Sequence, residues 1–201
     1  VLEPIKGFVE FKNVSFHFSD DPDQNVLEDV SFKIGPGQTL GILGETGSGK
    51  TTLVNLVGRF YDPTEGEVMI DGKSAKENTV RQMRENISMV MQDVFLFSNT
   101  ISDNIAFGNP LADENFIRQM AVVADADTFI SRMPQGYETI VGERGVGLSG
   151  GQKQRISLAR ALAKDPSILI LDDTTSAVDM ETESKIQQEL TKLTGEKTTF
   201  I

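Results

Sequence analysis

Three short stretches combine residue types and spacing that could do chemistry. Gly44-Glu45-Thr46-Gly47-Ser48-Gly49-Lys50-Thr51 has the spacing G-x-x-x-x-G-K-[ST]. Its glycines let the backbone turn tightly and bring amides close to phosphate oxygens. Lys50 supplies a cation to the β- and γ-phosphates of a nucleotide, and the Thr51 hydroxyl is placed to ligate Mg²⁺. Thr52 follows in the helix that opens here, whose N-terminus adds a positive dipole end. Gly44, Glu45, Thr46, Gly47, Ser48, Gly49, Lys50, Thr51 and Thr52 are therefore the expected nucleotide-binding residues. The plain alternative is a flexible turn before a helix.

The second stretch, Ile168-Leu169-Ile170-Leu171-Asp172-Asp173, is four apolar residues followed by two carboxylates. A buried strand ending this way delivers a carboxylate beside the phosphate loop, where Asp172 would hold Mg²⁺ through water. Alone the pattern is unspecific, since any strand can end at an Asp turn. The third stretch, Leu148-Ser149-Gly150-Gly151-Gln152-Lys153-Gln154-Arg155, opens a helix with a serine and two glycines. Its backbone amides and the Ser149 hydroxyl then point outward at a positive helix end, which makes a second anion site. The plain alternative is a serine cap with a glycine-rich first turn.

These stretches need elements to position them. Phe8 to Phe18 alternates apolar and polar positions and reads as a strand. Val30 to Ile34 and Gln38 to Leu43 read as two more, the second running into the phosphate loop. Lys50 to Phe60 reads as a helix stopped by Tyr61-Asp62-Pro63, and Gly66 to Asp71 as a short strand turning at Asp71-Gly72. Ile87 to Met91 is a buried-type strand. Ile101 to Phe107, Asp113 to Ala124 and Asp127 to Met133 read as short helices joined by Gly and Pro turns. Gly150 to Lys164 is a helix broken by Asp165-Pro166, Ile168 to Leu171 a core strand, Glu181 to Leu193 an amphipathic helix, and Thr198 to Ile201 a further strand. Strands alternating with helices predict an α/β domain with a mostly parallel sheet.

The chain has 201 residues, enough for one compact domain with a small inserted lobe. Cys is absent, which excludes disulfides and thiolate metal sites. The net charge of −11 argues against nucleic acid and anionic lipid as direct partners, since phosphate contacts need Lys and Arg. No stretch approaches the roughly 18 consecutive apolar residues of a membrane span. The start, VLEPIKG, and the end, TTFI, look cut, so the chain reads as a fragment of a longer polypeptide.

In this order and spacing, the three stretches resemble the nucleotide-binding domain of ABC transporters, and the match covers nearly the whole chain. FKNVSFHF (11–18) resembles that family's adenine-stacking strand, and RFYDPTEGEVMIDG, VMQDVFLFSNTISDNIAFG, VGERGVGLSGGQKQR and SAVD resemble its exporter branch. The resemblance implies a P-loop NTPase with a RecA-like core and an antiparallel β subdomain (1–92 and 155–201), and a helical subdomain (93–154). It implies ATP and Mg²⁺ as ligands and hydrolysis of the γ-phosphate by water. Phe18 would stack on adenine where the family usually has Tyr, since stacking needs only the ring face. His17 should face the other way and serve surface or packing. Gln92 would sense metal and attacking water. Gly142-Glu143-Arg144-Gly145 would touch the membrane domains, and Ser176 to Asp179 would cross a dimer interface. Two such domains pair head to tail, so Leu148, Ser149, Gly150, Gly151 and Gln152 would close on ATP held by a partner domain. The implied setting is the cytoplasmic face of a membrane, with a transmembrane domain on the same polypeptide.

The chain departs from the family at Asp173, where the usual residue is the Glu that polarises water. One methylene less withdraws the carboxylate by about 1 Å, a misplacement that can cost about 10²-fold in rate. Thr174 replaces the usual Ala, and nothing in the sequence explains that change. The family's switch His would fall beyond Ile201. Asp at position 173 resembles the degenerate half of heterodimeric bacterial exporters. The expectation is a weak site of its own and an intact LSGGQ that completes the site of a different chain; the alternative is a homodimer that works with Asp. A soluble ABC ATPase acting on DNA or ribosomes would share the motifs, but usually carries basic patches or long inserts. A phosphate-loop GTPase or kinase leaves LSGGQKQR unexplained.

Overall fold

The computed structural model describes residues 4–91, 93–143, 145–172, 188–189, 192 and 197–201. The chain divides into two units. One holds the described residues up to Met89, Pro166–Asp172 and those from 197 on; the other holds those from Val90 to Asp165 with 188–189 and 192.

In the first unit, β1 (Val9–Phe16) lies between β2 (Leu27–Ile34) and β4 (Glu65–Ile70), antiparallel to both, and β5 (Lys73–Ser74) extends the sheet. Alternation drives the pairing, because Val9, Phe11, Ile34, Val68 and Ile70 turn inward to one core. The Asp71 carboxylate ties the chain before β1 to the β4–β5 turn by accepting the amides of Lys6, Gly7 and Phe8 at 2.6, 3.0 and 2.9 Å. A second sheet has the order β3-β8-β7-β6, formed by Thr39–Leu40, Thr198–Phe200, Ile168–Leu171 and Ile87–Val90. β8 runs parallel to both β3 and β7. All four residues of β7 are buried, as a strand covered on both faces requires.

α1 (Lys50–Val57) follows the phosphate loop and buries Leu53, Val54, Leu56 and Val57. It stops three residues before the sequence reading placed its end, because Arg59 takes a left-handed backbone (φ 54°) and the Phe60 amide bonds back to the Asn55 carbonyl at 2.9 Å. β3 is also shorter than expected. Beyond Leu40 the Ile42 amide still bonds the Ile201 carbonyl at 2.7 Å, but Leu43 is 98 % exposed, so the chain has left the sheet there. α2 (Val80–Asn86) is a helix that the sequence reading did not name. It buries only Met83 and depends on the Thr79 hydroxyl, which accepts the Gln82 amide at 3.1 Å.

The second unit is helical. α3 (Ile101–Ala106), α4 (Glu114–Val123), α5 (Asp127–Ser131) and α6 (Gly150–Ala163) bury Ile101, Ile105, Ala121, Ile130, Ile156 and Ala159 against one another. Thr100 and Asp113 cap α3 and α4 by accepting the amides of Asp103 and Phe116. No helix among the described residues is long and apolar enough to cross a membrane.

Candidate functional site

The phosphate loop leaves the sheet after Ile42 and enters α1 through Gly49. Gly49 has φ +94°, and a Cβ there would lie 2.9 Å from the Val26 carbonyl, so the turn accepts only glycine. No side chain caps α1, which leaves its first amides to an outside acceptor. A Cβ on Gly44 would lie 2.3 Å from the Ser48 hydroxyl, so a side chain there would push Ser48 aside. Gly44, Glu45, Thr46, Gly47 and Ser48 are all exposed, and Lys50 is half-buried. The Lys50 ammonium bonds the Gly44 carbonyl and, at 3.1 Å, the Glu45 carbonyl. The cation is thus held by the loop's own carbonyls. The Thr52 side chain is buried, which leaves its backbone amide as the group it can offer.

Thr51 donates its hydroxyl to Asp172 Oδ2 at 2.9 Å across 121 residues of sequence. The loop and the end of β7 therefore meet, and the hydroxyl and carboxylate expected to share a divalent cation share a proton. An alcohol and a carboxylate oxygen are hard donors of the type Mg²⁺ takes, so the residues present fit the ion.

Phe18 lies just past β1. Its ring is 36 % exposed and packs edge-on against Phe16 (centroids 5.0 Å) and Tyr61 (5.6 Å). The Val26 amide bonds the Phe16 carbonyl at 2.7 Å, and the Val26 carbonyl borders Gly49, so the aromatic group and the phosphate loop are joined through one residue. Tyr61, read in the sequence only as part of a helix stop, belongs to that aromatic group. His17 is half-buried, with Nδ1 3.1 Å from the Phe18 carbonyl.

At the start of α6 the Ser149 hydroxyl accepts the Gln152 amide at 3.2 Å, and the Gln152 side chain accepts the Ser149 amide at 3.0 Å. This is a reciprocal capping box. The plain reading of Ser149 as a cap therefore holds, yet a hydroxyl that accepts one bond still has a proton to donate. Ser149 and Gly150 are exposed; Leu148, Gly151 and Gln152 are half-buried. Arg155 steadies the turn: Nε donates to the Gly151 carbonyl at 3.3 Å, while Nη1 donates to the Asp125 carbonyl (3.0 Å) and carboxylate (3.2 Å).

Gln92, Arg144, Asp173 and Ser176 to Asp179 lie outside the described residues, as does most of Glu181 to Leu193. Nearby, Gly145 closes a turn onto the Gly142 carbonyl at 3.2 Å.

The sequence profile of the ABC transporter family matches residues 27–176, three-quarters of the chain and all three chemical stretches. The chain belongs to the ABC transporter family. It is 51 % identical over 199 residues to YgaD of Bacillus subtilis, whose name describes a multidrug export ATP-binding/permease protein, and covers 99 % of this chain but 34 % of that protein. It is 44 % identical over 200 residues to ABC transporter B family member 1 of Arabidopsis thaliana, across all of this chain and 16 % of the relative. Among solved structures, a bacterial Atm1-family ABC exporter with ATP bound superposes with a TM-score of 0.91 at 41 % identity, over 100 % of this chain and 35 % of that one. This ABC chain thus spans about a third or less of the length of these relatives, and its α/β fold with an antiparallel sheet is that of the family's ATPase domain.

Proposed function

We propose that this chain is the ATP-binding and hydrolysing domain of an exporter, and that it works as one half of a head-to-tail pair. The observation that carries this reading is the Thr51–Asp172 contact at 2.9 Å, which joins the phosphate loop to the acidic end of β7. The names of the relatives support the exporter branch, since they describe export and permease proteins.

In this reading ATP lies on residues Gly44 to Thr52 with its adenine against the exposed Phe18 ring. Thr51 and Asp172, with Gln92, would hold Mg²⁺, which when bound neutralises charge on the transferred phosphoryl group. Lys50 leaves its two loop carbonyls and meets the β- and γ-phosphates. Water attacks the γ-phosphorus, the bond to ADP breaks, and a nearby base takes the proton. Asp173 would hold that place, with a carboxylate set back by about 1 Å relative to Glu, which is why we assign this chain a weak site of its own. The exposed Ser149-Gly150-Gly151 turn lies at a helix N-terminus and would serve ATP bound to a partner domain. The partner is a different chain that carries Glu. A transmembrane domain on the same polypeptide would place the pair at the cytoplasmic face of the membrane, where closure on ATP pulls on that domain and hydrolysis releases it. Isolated from these parts, the domain would turn over slowly.

The test uses both full-length chains, purified together, with each carboxylate replaced separately. Removal of the partner's Glu should abolish turnover, and Asp173→Ala should leave most of it. Equal loss from both replacements overturns the asymmetric reading, and failure of Lys50→Ala to weaken ATP binding overturns the site itself.

A further inference from the structure

We propose that Arg160 is a positioning residue that makes the segment after Gln92 and the signature turn at the start of α6 move as one body. This rests on the reading of Ser149–Gly151 as a group that acts on a partner's ATP.

Arg160 lies ten residues into α6, and its guanidinium reaches three ways into one segment. Nε donates to the Asn104 carbonyl at 2.8 Å, Nη2 to the Asn104 side-chain oxygen at 2.7 Å, and Nη1 to the Phe95 carbonyl at 3.0 Å. Its Cζ also stands 5.2 Å from the centre of the Phe97 ring. Asn104 is 1 % exposed and grips the same segment from the other side. Its Oδ1 accepts the Phe97 amide at 2.9 Å, and its Nδ2 donates to the Phe97 and Thr100 carbonyls at 3.0 and 2.9 Å. At Gly108 an added Cβ would lie 2.2 Å from the Arg160 carbonyl, so the turn after α3 rests directly on the α6 backbone.

The chemistry of this junction is more specific than packing requires. Among the described residues the guanidinium's acceptors are neutral: two carbonyls and an amide oxygen. A half-buried cation with neutral acceptors costs desolvation, and burial pushes the Arg160 guanidinium pKa below its ordinary value. An apolar side chain would fill the space at less cost. What it would not supply is a planar fork that fixes three acceptors at once, which Lys cannot supply either. The clamped segment begins three residues after Gln92 and carries exposed rings: Phe95 is 65 % exposed, and Phe107, packed on Phe97 at 4.5 Å, is 64 % exposed. A displacement of that segment is passed through Arg160 into α6. Ten residues of helix, about 15 Å, act as a stiff rod that ends at Ser149.

The experiment uses the full-length transporter with its partner chain and compares wild type, Arg160→Lys and Ser149→Asp. For Arg160→Lys, nucleotide affinity should change by less than about twofold while turnover per folded transporter falls about tenfold or more, a split between KM and kcat that misplacement predicts. Hydrogen exchange should rise together at the Phe97 amide and at the amides of Gly150–Gln152. A merely structural role would lower the melting temperature, leave turnover per folded molecule unchanged and raise exchange at Phe97 alone; that result overturns the proposal. If Arg160→Lys fails to fold, Phe97→Leu removes the ring face and is read by the same paired exchange. Ser149→Asp separates the two ideas. Its full activity overturns the trans reading and this proposal with it, whereas an inactive Ser149→Asp beside a fully active Arg160→Lys overturns this proposal alone.

Discussion

Ser149→Asp removes one of the two roles of the signature turn and keeps the other. In the structure Ser149 accepts the Gln152 amide at 3.2 Å, and Gln152 returns the bond at 3.0 Å. Asp caps a helix about as well as Ser, and its charge favours the positive end by about 0.3–1 kcal/mol. The thermal midpoint of Ser149→Asp should therefore match wild type or rise by about 2–4 °C in a domain of this size. Ser149→Ala, which deletes the cap, should lower stability by about 1 kcal/mol. In the assembled pair the same aspartate would face the partner's γ-phosphate. Two like charges about 4 Å apart at an effective dielectric of about 20 repel by about 4 kcal/mol, a loss of about 10³-fold. The assay is phosphate release by the full-length pair, read beside thermal melts of the same samples. Turnover by Ser149→Asp within about threefold of wild type, with its stability intact, would refute the trans role of this turn.

Three further outcomes follow from the geometry. Thr51→Ala deletes an exposed bond to Asp172 and should change stability by less than about 1 kcal/mol, yet it should abolish the gain in ATP affinity that Mg²⁺ brings. ATP titrations with and without Mg²⁺ read this, and an undiminished gain refutes it. Phe18→Ala should weaken ATP binding by about 1 kcal/mol, or roughly fivefold, while Phe18→Tyr binds as wild type, because stacking uses the ring face; equal affinity for all three chains refutes the adenine role. Tyr137 donates its hydroxyl to Asp127 at 2.7 Å, and its phenol is held well above its ordinary value, first by burial and then by that bond. A raised folded value gives stability that is complete below the unfolded pKa of about 10 and is lost as pH climbs towards the folded one. Urea unfolding should show wild type more stable than Tyr137→Phe by about 1 kcal/mol at neutral pH, with the margin closing above about pH 10. A margin that does not narrow refutes the linkage.

Much of the local chemistry was legible in the sequence, because it depends on near neighbours. The phosphate loop needs glycines at fixed spacing and a helix after it. The signature turn needs Ser149 and Gln152 three apart, and β7 needs only four apolar residues in a row. Short elements with little apolar signal escaped: α2 buries one residue, Met83, and rests on the Thr79 cap. Helix α1 and strand β3 came out shorter than read, because a left-handed Arg59 and the departure of the chain after Ile42 are decided by what surrounds them. That Thr51 and Asp172, 121 residues apart, serve one site was legible from the motifs, but their direct hydrogen bond came only from the tertiary structure, as did the hold of Arg160 on Asn104, 56 residues earlier. No local pattern says which distant segments will touch. Nor does it say which distant carbonyls the two arginines of α6, Arg155 and Arg160, will meet. Desolvation and hydrogen-bond geometry exist only once the chain has closed on itself.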